Sequence, residues 1–522
     1  MVEIELKFQI DEARREDVRR ALASRSAAVD PLRLQARYFD TVDERLTEAG
    51  LALRLRKEGP ARWVQTLKGR GDGLMQRLEH EIVLLPGDPV AIDVARHEGT
   101  AAGQALHKAL GTSAAPLVER FATDIRRSRR VVRTRSAAGV AASVEIALDE
   151  GWLLAPAAAG VGEGQPAKRA RRRLPVLEIE FELLAGPPQA LLDLAARWVR
   201  RHGLWLDVRS KAERGHALAT GRWPGAVFAQ PPVLARRMAP ASAFAAMLQS
   251  ALAHVLPNMA AVAEAAHADA EHLHQLRVGL RRLRTLLREF AGDLPGLDAA
   301  AAALVLREVF SALGALRDRE IIEQTLRPAR AAARAAGVEV ASLAGPPGAS
   351  PDAALRPLVA NETAPLRMPA FNVLLLTLVG ACAAPEGGAA SAAPTMLALA
   401  TKRLARLHKR VAADAARFAA HDDEARHALR KRLKRLRYSL EFVAPLYARK
   451  PMLRYLAVLK PAQQALGDFN DLVVAQTSLR NEAAPEAFVL GWLAARREAL
   501  EAQAAKRLVA LTQAPRFWKG KD

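Results

Sequence analysis

Apolar and polar residues follow two different periods along the chain. From Met1 to about Arg222, several short segments alternate with period two. Val2, Ile4, Leu6 and Phe8 stand on one side of the first, with Glu3, Glu5 and Lys7 on the other. Leu53–Arg56 alternates leucine with arginine, and Arg77, Glu79 and Glu81 alternate with Leu78, His80 and Ile82. Ser143, Glu145, Ala147 and Asp149 alternate with Val144, Ile146 and Leu148; Glu178, Glu180 and Glu182 alternate with Leu177, Ile179, Phe181 and Leu183. This period predicts strands, with helices expected near Asp11–Ser24 and Gln189–His202. Beyond about Pro240 alanine dominates and apolar residues recur three and four apart, which predicts a run of long amphipathic helices.

Turn-forming residues separate the two regions. Trp223-Pro-Gly through Ala239-Pro240 reads as a linker, which divides the chain into a strand-rich domain at 1–222, a linker at 223–240 and a helical domain at 241–515. Ala155–Arg173, Gly345–Pro357 and Ala383–Pro394 read as flexible excursions. The helical region repeats itself. His274-Gln-Leu-Arg277 followed by Arg281-Arg-Leu-Arg284 recurs as His427-Ala-Leu-Arg430 followed by Lys434-Arg-Leu-Arg437, at a constant offset of 153 residues. Leu313-Gly314 and Asp318 match Leu466-Gly467 and Asp471 at the same offset, so two similar helical sub-bundles are expected.

Charge narrows the partners. The 522 residues carry 77 Lys plus Arg against 56 Asp plus Glu, a net +21. Residues 1–222 hold 37 basic and 30 acidic side chains, a net of +7, which leaves +14 for the remainder. A balance this basic points to a polyanion: nucleic acid, an anionic membrane surface or polymeric phosphate. Aromatic residues make up only 5%, few for stacking on bases, which favours a polymer without bases over nucleic acid. The single cysteine, Cys382, excludes an intramolecular disulfide and a cysteine-rich zinc site. The start lacks a basic segment followed by an apolar run, and the uncharged stretch Met368–Ala384 is short for a membrane span and holds a Pro and an Asn. A cytoplasmic protein that does not enter the membrane is therefore expected.

The polar faces of the strands are almost purely Glu and Arg/Lys. Glu178, Glu180 and Glu182 stand ~6.6 Å apart on one face, and each neighbouring pair repels by ~2.5 kcal/mol at an effective dielectric of ~20. A solvated face tolerates this; an enclosed one needs cations. Glu3 with Glu5 and Glu79 with Glu81 repeat the arrangement, and Arg54, Arg56, Lys68, Arg77, Arg127, Lys211 and Arg214 supply the opposite sign. A strand barrel with both sets in its lumen has a use: carboxylates bind hard divalent ions through oxygen, and Arg and Lys bind phosphate oxygens. A polyphosphate with its metal ions needs both.

These residues resemble a known family. Glu3-x-Glu5-x-Lys7 is similar to the ExExK signature of the CYTH domain, the triphosphate tunnel metalloenzymes. The resemblance continues through Tyr38-Phe-Asp-Thr41, Leu53-Arg-Leu-Arg56, Gln65-Thr-Leu-Lys68-Gly, Arg77-x-Glu79-x-Glu81, Phe121-x-Thr-Asp, Glu145-x-Ala-x-Asp149, Glu178-x-Glu180-x-Glu182 and Ser210-Lys211-Ala-x-Arg214-Gly, over about residues 1–220. A tyrosine usual after the last glycine is His216 here. The resemblance implies an α+β protein whose N-terminal part is an antiparallel eight-stranded tunnel with flanking helices, hydrolysing a triphosphate with Mg²⁺ or Mn²⁺ at a two-ion site. Lys7, Arg54, Arg56, Lys68, Arg77, Arg127, Lys211 and Arg214 would hold phosphate oxygens. Glu3, Glu5, Glu178, Glu180 and Glu182 would hold metal, with Glu5, Lys7, Lys68 and Glu180 carrying catalysis; Glu79, Glu81, Glu145 and Asp149 are further lumen carboxylates of undivided role.

In the helical half, His274, Arg277, Arg281 and Arg284 fall on one helix face, as do His427, Arg430, Lys434 and Arg437. One such face is ordinarily just solvated; two copies at constant offset point to a shared anion surface. The motif resembles the CHAD domain over about 240–515, a family associated with inorganic polyphosphate, and the order of the two domains resembles bacterial inorganic triphosphatases. The expected function is hydrolysis of tripolyphosphate to pyrophosphate and orthophosphate, with long-chain polyphosphate bound by the helices, in the cytoplasm and at polyphosphate granules. Two rivals stay open: a non-catalytic polyphosphate tether, and an enzyme acting on an organic triphosphate, of the adenylate cyclase or thiamine triphosphatase type.

Overall fold

The computed structural model describes residues 2–23, 31–71, 73–111, 115–156, 172–292, 297–338, 363–383, 395–480 and 486–519, without the side chains of 2, 70, 315–321 and 519. Most of the three excursions expected from the sequence, residues 157–171, 339–362 and 384–394, lie outside them. The chain forms two compact units: residues 1–227 with 256–267 and 366–380, and residues 228–255, 268–365 and 381–522. The first unit therefore takes two segments from the region that reads as the helical domain.

The first unit is an antiparallel barrel. Its strands are β1 (Val2–Gln9), β2 (Leu32–Thr41), β3 (Leu51–Glu58), β4 (Arg62–Arg70), β5 (Gln76–Val83), β6 (Leu117–Arg135), β7 (Ala141–Ala155) and β8 (Arg172–Ala185). They run β5-β4-β3-β2-β6-β7-β8-β1, and β1 pairs β5 again to close eight strands; the two-residue β9 (Trp205–Leu206) adds to the edge of β1. The period-two alternation sets the faces. Leu6, Phe8, Leu53, Leu55, Leu67, Val144, Ile146, Leu148, Ile179 and Phe181 turn outward and are buried. The helices between the strands are α1 (Arg15–Leu22), α2 (Arg45–Glu48), α3 (Ala101–Leu110) and α4 (Pro188–His202). α3 packs Ala102 and Leu106 on Leu53 and Leu67, and Trp198 of α4 meets Phe181 edge-on at 5.8 Å.

The glutamates and cations of those strands turn inward, and one end of the lumen is filled. Leu34, Ile125, Leu153 and Val176 form a buried cluster with Leu218 of α5 (Lys211–Thr220). Ser210 and Glu213 cap α5 reciprocally, and Gly215 lets the helix settle on Phe121: a Cβ there would lie 2.2 Å from the ring. The borrowed segments seal the β9 side. Asn372 accepts a hydrogen bond from the Leu206 amide at 2.9 Å, Arg209 donates to Glu264 at 2.6 Å, and Arg367 lies 4.5 Å from the Trp205 ring centre.

The second unit is helical: α6 (Pro240–Glu264, its residues from Leu256 belonging to the first unit), α7 (Ala270–Phe290), α8 (Ala299–Ala312) and α9 (Gly314–Ala335) come first. After the short α10 (Ala364–Arg367) and α11 (Pro369–Cys382), mostly in the first unit, come α12 (Met396–Ala415), α13 (Asp423–Val443), α14 (Arg449–Arg480) and α15 (Ala487–Gln513). α6 is long and apolar enough to cross a membrane, unlike the Met368–Ala384 stretch singled out above, but 67% of that window is buried, as in a core helix. The whole is α+β.

Candidate functional site

Backbone register places the charged residues of the lumen. Lys7 pairs across from Glu180, Gln9 from Glu178, Glu178 from Asp149 and Asp149 from Arg127. Arg127 donates to both oxygens of Asp149 at 2.6 Å and to Glu180 at 2.5 Å. Carboxylate oxygens of Asp149, Glu178 and Glu180 lie within 4.8 Å of one another, close enough to hold one cation. The Lys211 ammonium stands among them, 2.7 Å from Asp149 and from Glu180 and in contact with Glu178. Arg214, only 3% exposed, pairs with the fully buried Glu178. Burial alone would raise the Glu178 carboxyl; Arg214, Lys211 and Lys7 outweigh it and hold the group well below its usual range. Glu180 is likewise held down, against burial, by Lys211 and Arg127. Among the described residues, three carboxylates form ion pairs with three cations, and Lys7 adds its charge, so this group has no excess of negative charge.

A second group is not balanced. Glu3 is in hydrogen-bonding contact with both Glu79 and Glu182, and Glu145 stands across from Glu182. Lys68 lies 3.1 Å from Glu3 and 2.7 Å from Glu79. The other cation is Arg129, at 3.5 Å from Glu145 and 63% exposed. Among the described residues, these four carboxylates form ion pairs with two cations, and Arg54 also bears on Glu79. The carboxyl groups of Glu79 and Glu182 are pushed up, chiefly by burial, with Glu3 adding to the effect on Glu79 and Glu145 to that on Glu182. Lys68 responds in the opposite sense: burial would lower its ammonium, and Glu3, Glu5 and Glu79 raise it instead. Glu5 itself pairs with Arg77 at 3.3 Å.

Beside this group, Arg54 and Arg56 share Glu81 at 3.4 and 3.2 Å, and Thr66 donates to the same carboxylate at 3.0 Å. The Nε donors of Arg54 and Arg56 are buried without a hydrogen-bond partner among the described residues. Donors left this way are costly, and an anion's oxygens satisfy them. Lys7 donates to the Arg209 carbonyl; burial outweighs Glu178 and Asp207 and lowers its ammonium.

In the second unit the two basic faces meet. Arg277, Arg281 and Arg284 gather on the Phe310 ring at 4.8, 5.7 and 5.6 Å, and Arg277 donates to the Leu313 carbonyl. On α13, Arg430 pairs with Asp471 at 3.2 Å, beside Gly467, and His427 pairs with Asn470. The first arginine of each repeat thus meets the Leu-Gly segment of its own copy. Asp318 lies among side chains outside the described ones. Lys434 sits between the copies: burial, then Arg430, Arg281 and Arg437 around it, pull its ammonium down to about 6 against Asp471. The Nε atoms of Arg281, Arg430 and Arg437 are buried without partners among the described residues. Burial lowers the pKa of His427, and its bond to Asn470 makes it part of the scaffold.

The lumen residues expected from the sequence come together, but Glu3 and Glu182 stand with Glu79 and Glu145, whereas Glu178 and Glu180 stand with Asp149. Gln9, Asp207 and Tyr38 were missed. Gln9 bridges Glu178 at 3.3 Å and Asp207 at 3.0 Å, and simply continues the alternation of 3, 5 and 7. Asp207 is bound by Arg209 at 2.8 Å, a pair whose sequence carries no signal. Tyr38 accepts from Arg54 at 3.5 Å. His216, in the place of the usual tyrosine, lies 3.4 Å from Glu44 and 3.3 Å from the Thr47 hydroxyl.

Residues 1–216 match the family model of the CYTH domain and residues 246–480 that of the CHAD domain. Among solved structures the chain is similar to the CHAD domain from the plant Ricinus communis, at 29% identity over 56% of this chain and 98% of that one, with a TM-score of 0.40. It is similar also to a proposed adenylate cyclase from Bacillus halodurans (17% identity, 41% of this chain and 96% of that one, TM-score 0.28). A third likeness is to a proposed adenylyl cyclase from Hippeastrum with a dominant triphosphatase activity (16% identity, 42% and 97%, TM-score 0.26). At these TM-scores the structural likenesses carry no weight, and the assignment rests on the two domain matches. The chain thus carries a CYTH domain over residues 1–216, followed by a CHAD domain over residues 246–480.

Proposed function

We propose that the barrel is a metal-dependent inorganic triphosphatase, hydrolysing tripolyphosphate to pyrophosphate and orthophosphate, and that the helical unit binds inorganic polyphosphate. The observation that carries the reading is the lumen's crowding of Glu3, Glu79, Glu145 and Glu182, whose ion pairs among the described residues are with Lys68 and Arg129, beside guanidinium Nε donors of Arg54 and Arg56 that lack hydrogen-bond partners among the described residues. A divalent cation answers the first and a phosphate chain the second. Glu3, Glu79 and Glu182, with Glu5 beside them, would hold Mg²⁺ or Mn²⁺ through oxygen. The ion supplies charge neutralisation and a more acidic water. Lys68, Arg54, Arg56, Arg77 and Lys7 would orient the phosphates, and the Asp149–Glu178–Glu180 group would keep Arg127, Lys211 and Arg214 in place. Alignment and electrostatic stabilisation would do most of the catalysis. In the helical unit, the guanidinium donors around Lys434 that lack partners among the described residues support an anion surface built from both repeats. That charge would hold the protein at cytoplasmic polyphosphate granules.

A second reading, an organic triphosphate as substrate, draws on a cavity beside Glu5, Lys7 and Arg77 whose other wall is apolar: Met75, Leu206, Leu256 and Val379. Phosphate release from tripolyphosphate, ATP and thiamine triphosphate, with and without Mg²⁺, separates the two. Tripolyphosphate is expected to be hydrolysed fastest and only with metal. Preference for an organic triphosphate would replace the first reading by the second, and release from none would leave a binding protein.

A further inference from the structure

In the β6–β7 hairpin, β6 outruns its β2 neighbour, while β7 stays paired with β8 as far as Ser143↔Ala185. β6 pairs β7 without a break from Ala122↔Leu154 to Arg135↔Ala141, whereas its pairing with β2 stops at Leu32↔Arg127. Beyond Arg127 the ribbon keeps its parity, so Arg129, Val131, Arg133 and Arg135 continue the face that lines the lumen. Exposure rises along this face, from 22% at the Arg127 side chain to 63% at Arg129, with Val131 at 52% and Arg133 and Arg135 also exposed. The ribbon's opposite face is covered instead. There the cross-strand partners Ala142, Val144 and Ile146 are buried, and Arg197 of α4 donates to the Thr134 hydroxyl at 3.0 Å.

Three arginines on the uncovered face have little to neutralise them. Arg129 shares Glu145 at 3.5 Å. Arg133 stands opposite Ser143 and Arg135 opposite Ala141, and Arg135 donates only to the Gly139 carbonyl of its own turn, at 3.4 Å. Among the described residues no carboxylate pairs with either. The line begins beside Glu145 and Glu182 of the underbalanced carboxylate group and leads outward; the far end of the lumen is packed by Leu34, Ile125, Leu153, Val176 and Leu218. With that end packed among the described residues, a chain whose end lies in the lumen leaves on the Arg129 side.

We propose that Arg129, Arg133 and Arg135 guide the part of a linear phosphate chain that extends beyond the lumen, so that the barrel takes inorganic chains longer than tripolyphosphate by one end. The proposal rests on the triphosphatase reading and extends its substrate class. Each turnover breaks one phosphoanhydride. A water oxygen bonds to phosphorus, the bridging oxygen leaves with the electron pair of its P–O bond on the remaining chain, and the water's proton passes to that oxygen or to solvent. Side chains two residues apart stand ~6.6 Å from one another. They act as screened point contacts with a flexible polyanion, so the effect belongs in kcat/KM for long chains and fades with salt.

The test compares the full-length protein, in Mg²⁺, on tripolyphosphate and on a chain of about fifteen phosphates, with Arg133→Gln/Arg135→Gln set against Arg126→Gln/Arg130→Gln. Both double variants remove two charges from the same ribbon, on opposite faces, and both keep the helical unit. The first is expected to lose about tenfold in kcat/KM on the long chain while its tripolyphosphate rate stays within about twofold; the second leaves both rates near wild type. Equal losses in the two variants, or none in the first, overturn the guide. Tripolyphosphate hydrolysis without hydrolysis of the long chain overturns the guide alone, whereas no phosphate release from tripolyphosphate overturns the triphosphatase reading beneath it.

Discussion

At the scale of single residues, the two carboxylate groups predict opposite responses to the same change. Glu178→Gln strands Arg214, which is 3% exposed, and unbalances Lys211. Breaking a buried pair from one side costs about 3–5 kcal/mol, so this variant is expected to lose that much in urea unfolding at pH 7. Glu79→Gln instead relieves a carboxyl that burial and Glu3 already push up. Its unfolding free energy should hold or rise, while Mn²⁺ ceases to raise the melting temperature and turnover falls on the order of 100-fold. A second residue-level prediction concerns His97, buried against His80 at 2.9 Å and Gln65 at 3.0 Å. Burial, with His80 and Arg96, pulls its pKa down to about 4, against Asp93. The folded value lies below the unfolded one of about 6.5, so its contribution is complete above that pH and is lost as pH falls toward 4. At pH 5 the loss is about 2 kcal/mol, and His97→Gln should remove that part of the difference between pH 7 and pH 5 unfolding. The inward turn of Glu3, Glu79 and Glu178 was legible from period two. Their division was not, because the balancing cations Lys211 and Arg214 arrive on α5, over thirty residues later in the chain than Glu178.

At the scale of elements, α7 and α13 carry one basic face each, and Lys434 reports their meeting. With its ammonium near 6 in the free protein, Lys434 is largely neutral at pH 8. A polyanion laid over Arg281, Arg430 and Arg437 favours the charged form and so takes up a proton. Affinity for long-chain polyphosphate should therefore rise as pH falls from 8 to 6, by up to about tenfold per pH unit, and level off below 6. Lys434→Arg keeps a charge throughout and should flatten the profile without losing binding. Titration calorimetry in buffers of different ionisation heat counts the protons directly; equal slopes in wild type and variant refute the coupling. Both helices and their facing residues were readable from the repeat at 153. The encounter between them was not, since periodicity orients a helix toward a core without naming its neighbour. Within the barrel, the Ser210-x-x-Glu213 capping box marks the start of α5, yet nothing in its composition announces that Gly215 lets it close on Phe121 at the lumen end.

At the scale of the whole molecule, the change of period near residue 240 marks where strands give way to helices, but the first compact unit does not end there. Residues 256–267 and 366–380 belong to it. Their apolar contacts fall on the β9 side, where Trp205 and Leu206 are under 9% exposed, and on α4, where a Cβ at Gly380 would lie 2.8 Å from Leu192. A pattern of apolar positions shows that a helix face is buried, not which partner buries it, so this sharing was invisible in the sequence. It has a measurable cost for dissection. A fragment ending at Arg222 uncovers Trp205, Leu206 and Leu192 and takes Glu264 from Arg209. At about 1.5–3 kcal/mol for each apolar side chain, the loss is on the order of 5 kcal/mol, comparable with the total stability of a small domain. The fragment 1–222 is expected to melt well below the full chain, or to aggregate through the uncovered patch, even though every lumen residue is present. Thermal melts of 1–222 and the full chain in the same buffer, with Mn²⁺ added to each, make the comparison. If the fragment melts within a few degrees of the full chain's first transition, the borrowed helices contribute little to the barrel. If it melts far lower yet still gains stability from Mn²⁺, the lumen forms from its own strands and the two segments act as its outer wall.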